Sequence, residues 1–280
     1  MSLKVIRFIN LTEICKTTNL IKCLLVFVFI FFIDAFIYEP YSLKITSYTL
    51  SNSQLSGLKI VFASDFHVAR YKWEKWRLQK IITTINKQNP DLVILGGDYV
   101  NRHNKKGTML PQDIVQALKQ IKAPKLAVLG NHDSYYGKKD VMSAFNEASI
   151  PILNNRSVKL HIRDKEFYVA GVSDYDTDKP DIYKALQKTK APLIFVTHSP
   201  DTFAKLNGQA DVAFAGHTHG GQIRLPFLGA LIVNINSGKK YTYGISYESG
   251  KPLIVSSGLG TSVLPIRFYN LPEIVVVQFD

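Results

Sequence analysis

The sequence predicts a layered α/β domain that follows an N-terminal membrane helix. Apolar runs with strand character alternate with amphipathic helical segments, the pattern of a sheet whose faces are covered by helices. Polar clusters directly follow several of the apolar runs, and an almost unbroken apolar stretch occupies residues 20–38. With 280 residues, the chain suits one domain with an appendage better than two full domains. We divide it into a basic flank and anchor at 1–38, a linker with an edge strand at 39–56, and the main domain at 57–280.

The N-terminal stretch has the length and composition of a single membrane-spanning helix. Residues Cys23–Ile33 are all apolar, and the span from about 20 to 38 is close to the roughly 20 residues that cross a bilayer. A cleaved signal peptide is the alternative, but Ile33–Ile37 is a poor small-residue cleavage site. Basic residues precede the run and only Lys44 closely follows it, so the positive-inside rule predicts an extracytoplasmic domain. A monotopic anchor with the domain inside the cell is the alternative topology.

The main domain alternates strands and helices in the order expected of a covered sheet. Predicted helices lie at 74–89 and Gln112–Lys122, each with its apolar residues on one face. The predicted strands are Ser42–Leu50, Leu58–Ala63, Asp91–Leu95, Lys125–Leu129, Lys165–Val172, Pro192–Thr197, Asp211–Ala215, Leu253–Ser256 and Glu273–Phe279. The last third of the chain is therefore expected to be rich in strands and turns.

Five polar clusters stand directly behind five of these strands. In chain order they are Asp65-Phe66-His67, Gly97-Asp98, Gly130-Asn131-His132-Asp133, Thr197-His198 and Gly216-His217-Thr218-His219. Active-site loops of α/β sheets leave the carboxyl ends of the strands. If the five strands are parallel in one sheet, all five clusters meet at one edge of that sheet.

The clusters share the ligand types that bind divalent transition metals. Imidazole, carboxylate and amide oxygen suit Mn, Fe and Zn, and the two cysteines, Cys15 and Cys23, lie outside the main domain. Taken singly, each cluster also fits a turn or a structural histidine, but together they offer enough ligands for two ions. A carboxylate such as Asp98 can bridge two ions, which lower the pKa of a bound water so that hydroxide attacks phosphorus.

The motifs DFH, GDYV, GNHD, TH and GHTH, in this order, resemble the five signature blocks of the calcineurin-like metallophosphoesterase superfamily. The resemblance runs from Asp65 to His219. Further segments, GHTHGGQIRLPFLG, SSGLGTSVLPIRF and NLPEIVVV, are similar to bacterial membrane-anchored phosphodiesterases, some of which cleave UDP-2,3-diacylglucosamine. The fold that this resemblance implies is a four-layer α/β/β/α sandwich with two mixed β-sheets.

The resemblance also implies the metal ligands and the catalytic residues. One ion would be held by Asp65, His67, Asp98 and His219, and the other by Asp98, Asn131, His198 and His217. The implied cofactors are two divalent ions per chain, Mn or an Fe/Zn pair. The implied role of His132 is to stabilise the phosphoryl oxygens or to protonate the leaving group. Protein phosphatases of the superfamily carry an Asp where this chain has Asn101, so diester or pyrophosphate cleavage is favoured over protein dephosphorylation.

The basic surplus of the chain predicts an anionic partner. The formal net charge is +12, which suits a phosphorylated substrate, an acidic lipid surface or nucleic acid. No zinc-finger spacing or arginine-rich tract supports nucleic acid, and no obligate protein partner is implied. Arg70, Arg102 and Arg224 stand near the motif blocks and are candidates for gripping phosphates, although exposed arginines are common.

Aromatic residues interleaved with cations follow the first motif. Tyr71, Trp73 and Trp76 alternate with Lys72, Lys75 and Arg77. This composition fits a surface that rests at a membrane interface. Packing in the core is the alternative, and it is favoured for Trp76.

These observations together predict a hydrolase of phosphodiester or pyrophosphate bonds in a lipid-linked or envelope substrate, such as UDP-2,3-diacylglucosamine. A phosphomonoesterase or nuclease acting on a soluble substrate is the alternative among enzymes. A non-catalytic binding scaffold is disfavoured, because every expected ligand and His132 are present. The predicted topology conflicts with a nucleotide-linked lipid A precursor, since such precursors are made inside the cell.

Overall fold

The computed structural model describes residues 11–101, 105–233, 235–236 and 238–280. The helices are α1 (Leu11–Ile33), α2 (Lys72–Lys87), α3 (Pro111–Leu118), α4 (Asn131–Glu147) and α5 (Ile182–Leu186). The strands are β1 (Lys44–Leu50), β2 (Lys59–Ala63), β3 (Leu92–Leu95), β4 (Lys125–Ala127), β5 (Arg156–Ile162), β6 (Lys165–Gly171), β7 (Leu193–Val196), β8 (Val212–Ala215), β9 (Arg224–Leu225), β10 (Gly229–Ala230), β11 (Gly244–Glu248), β12 (Lys251–Val255) and β13 (Glu273–Phe279).

Two mixed sheets form the body of the protein. The first has the strand order β1-β13-β2-β3-β4, in which β13 is antiparallel to β2 and the other neighbours are parallel. The second has the order β11-β12-β8-β7-β6-β5, with antiparallel pairs at its two ends and four parallel strands between them. Strands β2, β3 and β4 of the first sheet therefore end at one edge, as do β12, β8, β7 and β6 of the second, and the loops that follow them gather there.

Three apolar clusters separate four layers of structure. Successive side chains of a strand point to opposite faces. In β2, Val61 and Ala63 pack under helices α2, α3 and α4, whereas Ile60 and Phe62 face the second sheet. Phe62 stacks on Phe214 of β8 with 5.3 Å between ring centroids, which ties the two sheets together. The outer face of the second sheet packs against α5. The order of helix, sheet, sheet and helix confirms the predicted four-layer sandwich.

An exposed apolar helix precedes the first strand. Residues Asn19–Tyr41 are helical, and the stretch is long and apolar enough to cross a bilayer. After α1 the chain continues through a π-helical turn and a 3₁₀ turn to Tyr41. A signal sequence has the same length and composition, so these features define an apolar N-terminal segment and not yet its role.

All nine predicted strands and both predicted helices are present, with bounds shifted by up to four residues. The single-sheet arrangement considered from the sequence is wrong. Three of the five polar clusters follow strands of the first sheet, β2, β3 and β4, and two follow strands of the second, β7 and β8. Strand periodicity alone does not tell which sheet a strand joins, because buried parallel strands of both sheets are uniformly apolar.

Candidate metal centre

All seven predicted metal ligands lie at the adjoining edges of the two sheets, where their strands end. Asp65 and His67 follow β2, Asp98 follows β3, Asn131 begins α4 after β4, His198 follows β7, and His217 and His219 follow β8. Five of the seven side chains are buried, and Asn131 and His217 are half-buried. The structure therefore brings together the full set of candidate ligands that the sequence predicted.

One group of ligand atoms centres on the imidazoles of His67 and His219. Their Nε2 atoms are 3.0 Å apart. His67 Nε2 lies 3.4 Å from Asp98 Oδ2, and His219 Nε2 lies 3.5 Å from Asp65 Oδ1. Four side chains from two sheets thus direct ligand atoms at one point.

A second group centres on Asn131. Its Oδ1 lies 3.2 Å from His198 Nε2 and 3.2 Å from His217 Nδ1. His198 Nε2 lies 3.3 Å from Asp98 Oδ2, the same oxygen that approaches His67. Asp98 Oδ2 is therefore shared between the two groups, as a bridging ligand is.

The donor set fits metal ions in its spacing as well as its chemistry. Ligand atoms about 2.0–2.2 Å from one ion in tetrahedral or octahedral geometry lie about 3–3.5 Å from one another. The distances within both groups fall in this interval. In addition, Nδ1 of His67 and Nδ1 of His219 are buried with no hydrogen-bond partner among the described residues. Burial without partners is costly for these two nitrogens, so the stability of the fold alone does not favour this placement of the rings.

The protonation states at neutral pH also suit metal binding. Burial lowers the pKa of His67 and of His219 to about 3, so both rings are neutral and each has a free lone pair. For Asp98 the imidazole of His198 outweighs burial and holds the pKa of the carboxyl well below its usual range. Asp98 in turn outweighs burial at His198 and raises the pKa of that imidazole. A proton held by this pair is one that metal binding would release.

Hydrogen bonds outside the ligand set orient several of the ligands. His198 Nδ1 lies 2.8 Å from the Gly96 carbonyl, and Ser64 donates to Asp65 Oδ2 at 2.6 Å. His217 Nε2 lies 3.2 Å from Asp176 Oδ2, which leaves Nδ1 for the Asn131 side. Asp176 was not singled out from the sequence. It belongs to a polar cluster directly behind β6, so the signal that revealed the other five clusters was present here too.

Five of the seven candidate ligands have a left-handed backbone conformation, which L-residues adopt at a cost. They are Asp65 with φ 55°, His67 with φ 43°, Asp98 with φ 54°, His217 with φ 69° and His219 with φ 50°. Such strain persists only where the surrounding structure holds it, and it concentrates at functional sites. The turns after β2, β3 and β8 therefore fix the orientation of these side chains, and the strained backbone raises the local free energy.

Two glycines allow these turns to approach one another. A Cβ on Gly130 would lie 2.2 Å from Asp98 Oδ1, and a Cβ on Gly216 would lie 2.4 Å from Asp65 Oδ2. Neither position has room for a side chain. The glycines of GNHD and GHTH are thus required by the close packing of the ligand turns.

His132 lies at the border of the metal centre, where one of its ring nitrogens is within 4.8 Å of candidate ligand atoms of His67 and Asp98. Its backbone N–H donates to Asp98 Oδ1 at 2.9 Å, and its ring stands edge-on to His67 with 4.6 Å between centroids. Its Nδ1 lies 3.0 Å from the backbone carbonyl of Asn101, and its Nε2 lies 3.5 Å from Ser262 Oγ. The ring is thus oriented by the main chain of Asn101, a contact that no side-chain pattern reveals.

The neighbouring Asp133 does not orient His132. Its carboxylate accepts the backbone N–H groups of Asp98, Tyr99 and Gly130 at 2.8–2.9 Å, which ties the second and third ligand turns together. Burial, together with the nearby Asp98, raises the pKa of Asp133 to about 7. This residue serves the scaffold of the site.

A groove of about 770 Å³ opens beside the metal centre. His67, Asn101 and His132 line it, as do Pro40 and Tyr41 at the foot of the N-terminal helical segment. Its walls are mostly apolar and include Tyr71, Trp73, Val263 and Leu264, each more than half exposed. The centre is therefore reached along an apolar surface.

The three predicted phosphate-gripping arginines are not gathered in this groove. Arg70 is exposed and does not line it. Arg224 donates to the Gly220 carbonyl at 2.8 Å and lines a separate cavity with Lys44 and Tyr243. Arg102 lies outside the described residues.

A two-sheet sandwich that carries a buried cluster of carboxylates and imidazoles on its loops defines a metal-dependent hydrolase. Residues 58–221 match the family model described as calcineurin-like phosphoesterase. The chain is 32% identical over 249 residues to the uncharacterized metallophosphoesterase YkuE of Bacillus subtilis, covering 85% of this chain and 86% of that protein. It is 30% identical over 257 residues to an uncharacterized metallophosphoesterase of Aquifex aeolicus, covering 85% and 92%. Phosphodiesterase YaeI of Escherichia coli is 27% identical over 226 residues, covering 79% and 81%.

The chain belongs to the calcineurin-like phosphoesterase family. It is accordingly a metal-dependent hydrolase of phosphoric esters, in agreement with the resemblance seen in the five motif blocks.

Proposed function

We propose that this protein hydrolyses a phosphodiester or pyrophosphate bond in a lipid-linked substrate of the cell envelope. The observation that carries the proposal is the groove, because His67 and His132 line the same cavity as the apolar side chains of Trp73, Val263 and Leu264. A substrate that occupies both the metal centre and the groove combines a phosphate group with an apolar portion. UDP-2,3-diacylglucosamine is one compound with this chemistry.

The two groups of ligand atoms would hold two divalent ions, Mn or an Fe/Zn pair. Asp65, His67 and His219 fit one ion, Asn131, His198 and His217 fit the other, and Asp98 reaches both groups. When bound, the ions supply Lewis acidity and an activated water for attack at phosphorus. The chain contributes ligands held in place by strained turns and by buried hydrogen bonds, so little reorganisation accompanies binding.

His132 is proposed to act on the phosphoryl oxygens or the leaving group. The Asn101 carbonyl accepts the proton of Nδ1, which directs Nε2 toward the groove. A protonated Nε2 can donate to a phosphoryl oxygen and then to the departing oxygen.

The proposed substrate can be tested through one wall of the groove. Trp73 stacks on Tyr71 at 4.5 Å between ring centroids and is 52% exposed. Burying such a side chain against an acyl chain contributes about 1.5–3 kcal/mol. Trp73→Ser is expected to lower kcat/KM for a lipid-linked diester in mixed micelles by about 10- to 100-fold. For a soluble aryl phosphodiester, the same variant is expected to change kcat/KM by about twofold or less.

Trp76→Ser provides the matched control. Trp76 lies on the same helix and is 61% exposed, but it does not line the groove. An exposed substitution of this kind changes energies by about 0.5 kcal/mol, or about twofold. Equal losses on both substrates for Trp73→Ser, or no loss on the lipid-linked one, would contradict the proposal.

We further propose that residues 1–38 anchor the chain in a membrane and that the domain lies outside the cytoplasm. The apolar segment Asn19–Tyr41 and the basic residues before it support this topology. With Cys15 and Cys23 replaced by Ser, a Tyr183→Cys variant in intact cells is expected to react with a membrane-impermeant maleimide. Labelling only after lysis would place the domain inside, where nucleotide-linked lipid precursors are made.

A further inference from the structure

The β9–β10 hairpin and the residues after it carry an exposed apolar surface that the metal centre does not use. Phe227 and Leu228 form the tip of the hairpin and are fully exposed and 71% exposed, respectively. Leu231 and Ile232 follow directly and are 51% and 80% exposed. Single exposed apolar residues are ordinary on a protein surface, but four within six positions form a patch that indicates a binding surface. We call residues 224–232 the apolar hairpin.

The apolar hairpin is joined to the segment that holds the N-terminal helix. The Arg224 N–H donates to the Phe268 carbonyl at 2.9 Å, and the Phe268 N–H donates to the Gln222 carbonyl at 3.2 Å. Next to Phe268, the Arg267 N–H donates to the Ala35 carbonyl at 2.9 Å. The Phe268 ring packs against Phe31 of α1 with 5.0 Å between centroids. Residues 267 and 268 therefore contact both the base of the hairpin and the helical segment.

The position along the helical segment at which Phe268 packs determines whether the hairpin can reach lipid. Phe31 precedes Ile37, the last residue of the apolar run, by six residues, which is about 9 Å along a helix. Phe268 thus lies beside the apolar part of the segment and not below its end. If the segment is in a bilayer, the base of the hairpin is at the depth of the outermost part of that bilayer.

Tyrosines and basic residues around residues 267–269 have the composition of a membrane interface. Tyr38 and Tyr269 are 64% and 65% exposed. They line one cavity together with Lys44 and Arg224, the first residue of the hairpin. Aromatic rings and long basic side chains are enriched at the level of lipid headgroups, where their apolar and polar parts are both satisfied. This belt favours lipid over a second protein chain as the occupant of the patch.

We infer that the apolar hairpin is a second membrane contact, which inserts Phe227, Leu228, Leu231 and Ile232 into the leaflet nearest the domain. The inference rests on the proposed anchor. It adds a fixed orientation, since two contacts prevent the domain from rotating about the helix. Gln222 Nε2 donates to the Leu264 carbonyl at 2.9 Å, and the Ser262 N–H donates to Gln222 Oε1 at 2.8 Å. Gln222, two residues before the hairpin, is thus bonded to the loop that carries the groove residues Val263 and Leu264, so this wall of the groove lies close to the hairpin.

Depth-dependent quenching in the full-length protein tests the inference. In a chain with Cys15 and Cys23 replaced by Ser, Phe227→Cys is labelled with an environment-sensitive fluorophore and reconstituted into phosphatidylcholine/phosphatidylglycerol nanodiscs. Doxyl-labelled phosphatidylcholine is expected to quench this probe several-fold more than a probe at Tyr183→Cys, which is 81% exposed on α5. Aqueous iodide is expected to give the reverse order.

A third probe separates this inference from the proposed anchor. Leu25→Cys lies in the middle of the apolar segment and is 62% exposed. If lipid quenches the probe at position 25 but not the probe at position 227, the anchor stands and the second contact is refuted. If lipid quenches neither, the anchor is refuted as well. A probe at position 227 that is shielded from both iodide and doxyl lipid lies against protein, which would also overturn the inference.

Discussion

Replacing Asp98 by Asn is expected to remove both metal ions while preserving the fold. Asp98 Oδ2 is 3.3 Å from His198 Nε2 and 3.4 Å from His67 Nε2, so one oxygen serves both ligand groups. Its other oxygen accepts the His132 N–H at 2.9 Å, a bond that an amide oxygen retains. The substitution therefore removes a charge at the shared position with little change of shape.

The size of the expected loss of metal follows from the number of ions that share Asp98. Loss of a residue that merely supports a metal ligand lowers metal affinity by about 10- to 100-fold. A direct ligand is worth at least the upper value for each ion, and Asp98 is shared by two. The doubly loaded population at limiting metal is then expected to fall by about 10⁴, and activity with it.

The assay compares metal content and hydrolysis in the same preparations. Elemental analysis of purified wild-type protein is expected to give two divalent ions per chain, and Asp98→Asn is expected to give none. Hydrolysis of a soluble aryl phosphodiester is expected to fall about 10⁴-fold. Asp113→Asn, on the exposed face of α3, is the matched control and should retain both properties. An Asp98→Asn protein that keeps two ions and most of its activity would refute the bridging role.

Further predictions follow from other contacts of the site. His132→Ala is expected to lower kcat by about 10²–10⁴ with both ions retained, and loss of metal in elemental analysis would show that His132 is a ligand instead. Asp176→Asn is expected to lower the affinity for one ion by about 10- to 100-fold in a metal titration, because it holds His217 in place, whereas Asp178→Asn should not. Gly130→Ala is expected to abolish metal binding, since its Cβ would lie 2.2 Å from Asp98 Oδ1; a variant with wild-type metal content would mean that the turns can move apart.

A local rule places the candidate ligands in the sequence, whereas the architecture that gathers them depends on contacts between distant strands. Asp65, Asp98 and His198 each stand directly after an apolar strand, and that local rule holds for strands of either sheet. The partition into two sheets depends on pairing between distant strands, such as β12 with β8, and no local pattern encodes it. Knowledge of the family fold supplied that part of the prediction.

The elements and contacts that were missed have separate physical reasons. Helix α4 (Asn131–Glu147) begins inside a motif and is interrupted at Gly137, whose φ of 142° is not helical, so its apolar period is broken. The orientation of His132 depends on a backbone carbonyl, and every residue has one. Asp176, which contacts His217, was discoverable, because it belongs to a polar cluster that follows β6 as the candidate ligands follow their strands.

The N-terminal segment and the metal centre are connected through one buried cation. The backbone N–H of Arg267 donates to the Ala35 carbonyl, and its guanidinium donates to the carbonyls of Ser257, Gly258 and Gly260 at 2.6–3.0 Å. Burial lowers the pKa of Arg267 to about 10, so it is still charged at neutral pH. The Gly260 N–H in turn donates to the backbone carbonyl of Asp65. A buried charge is costly unless it is hydrogen-bonded, so the bonds from the two terminal nitrogens hold this loop between the helical segment and the first ligand turn, although Nε has no partner among the described residues. The helical segment is therefore tied through this loop to the first ligand turn, which is the arrangement that the proposed membrane-borne substrate calls for.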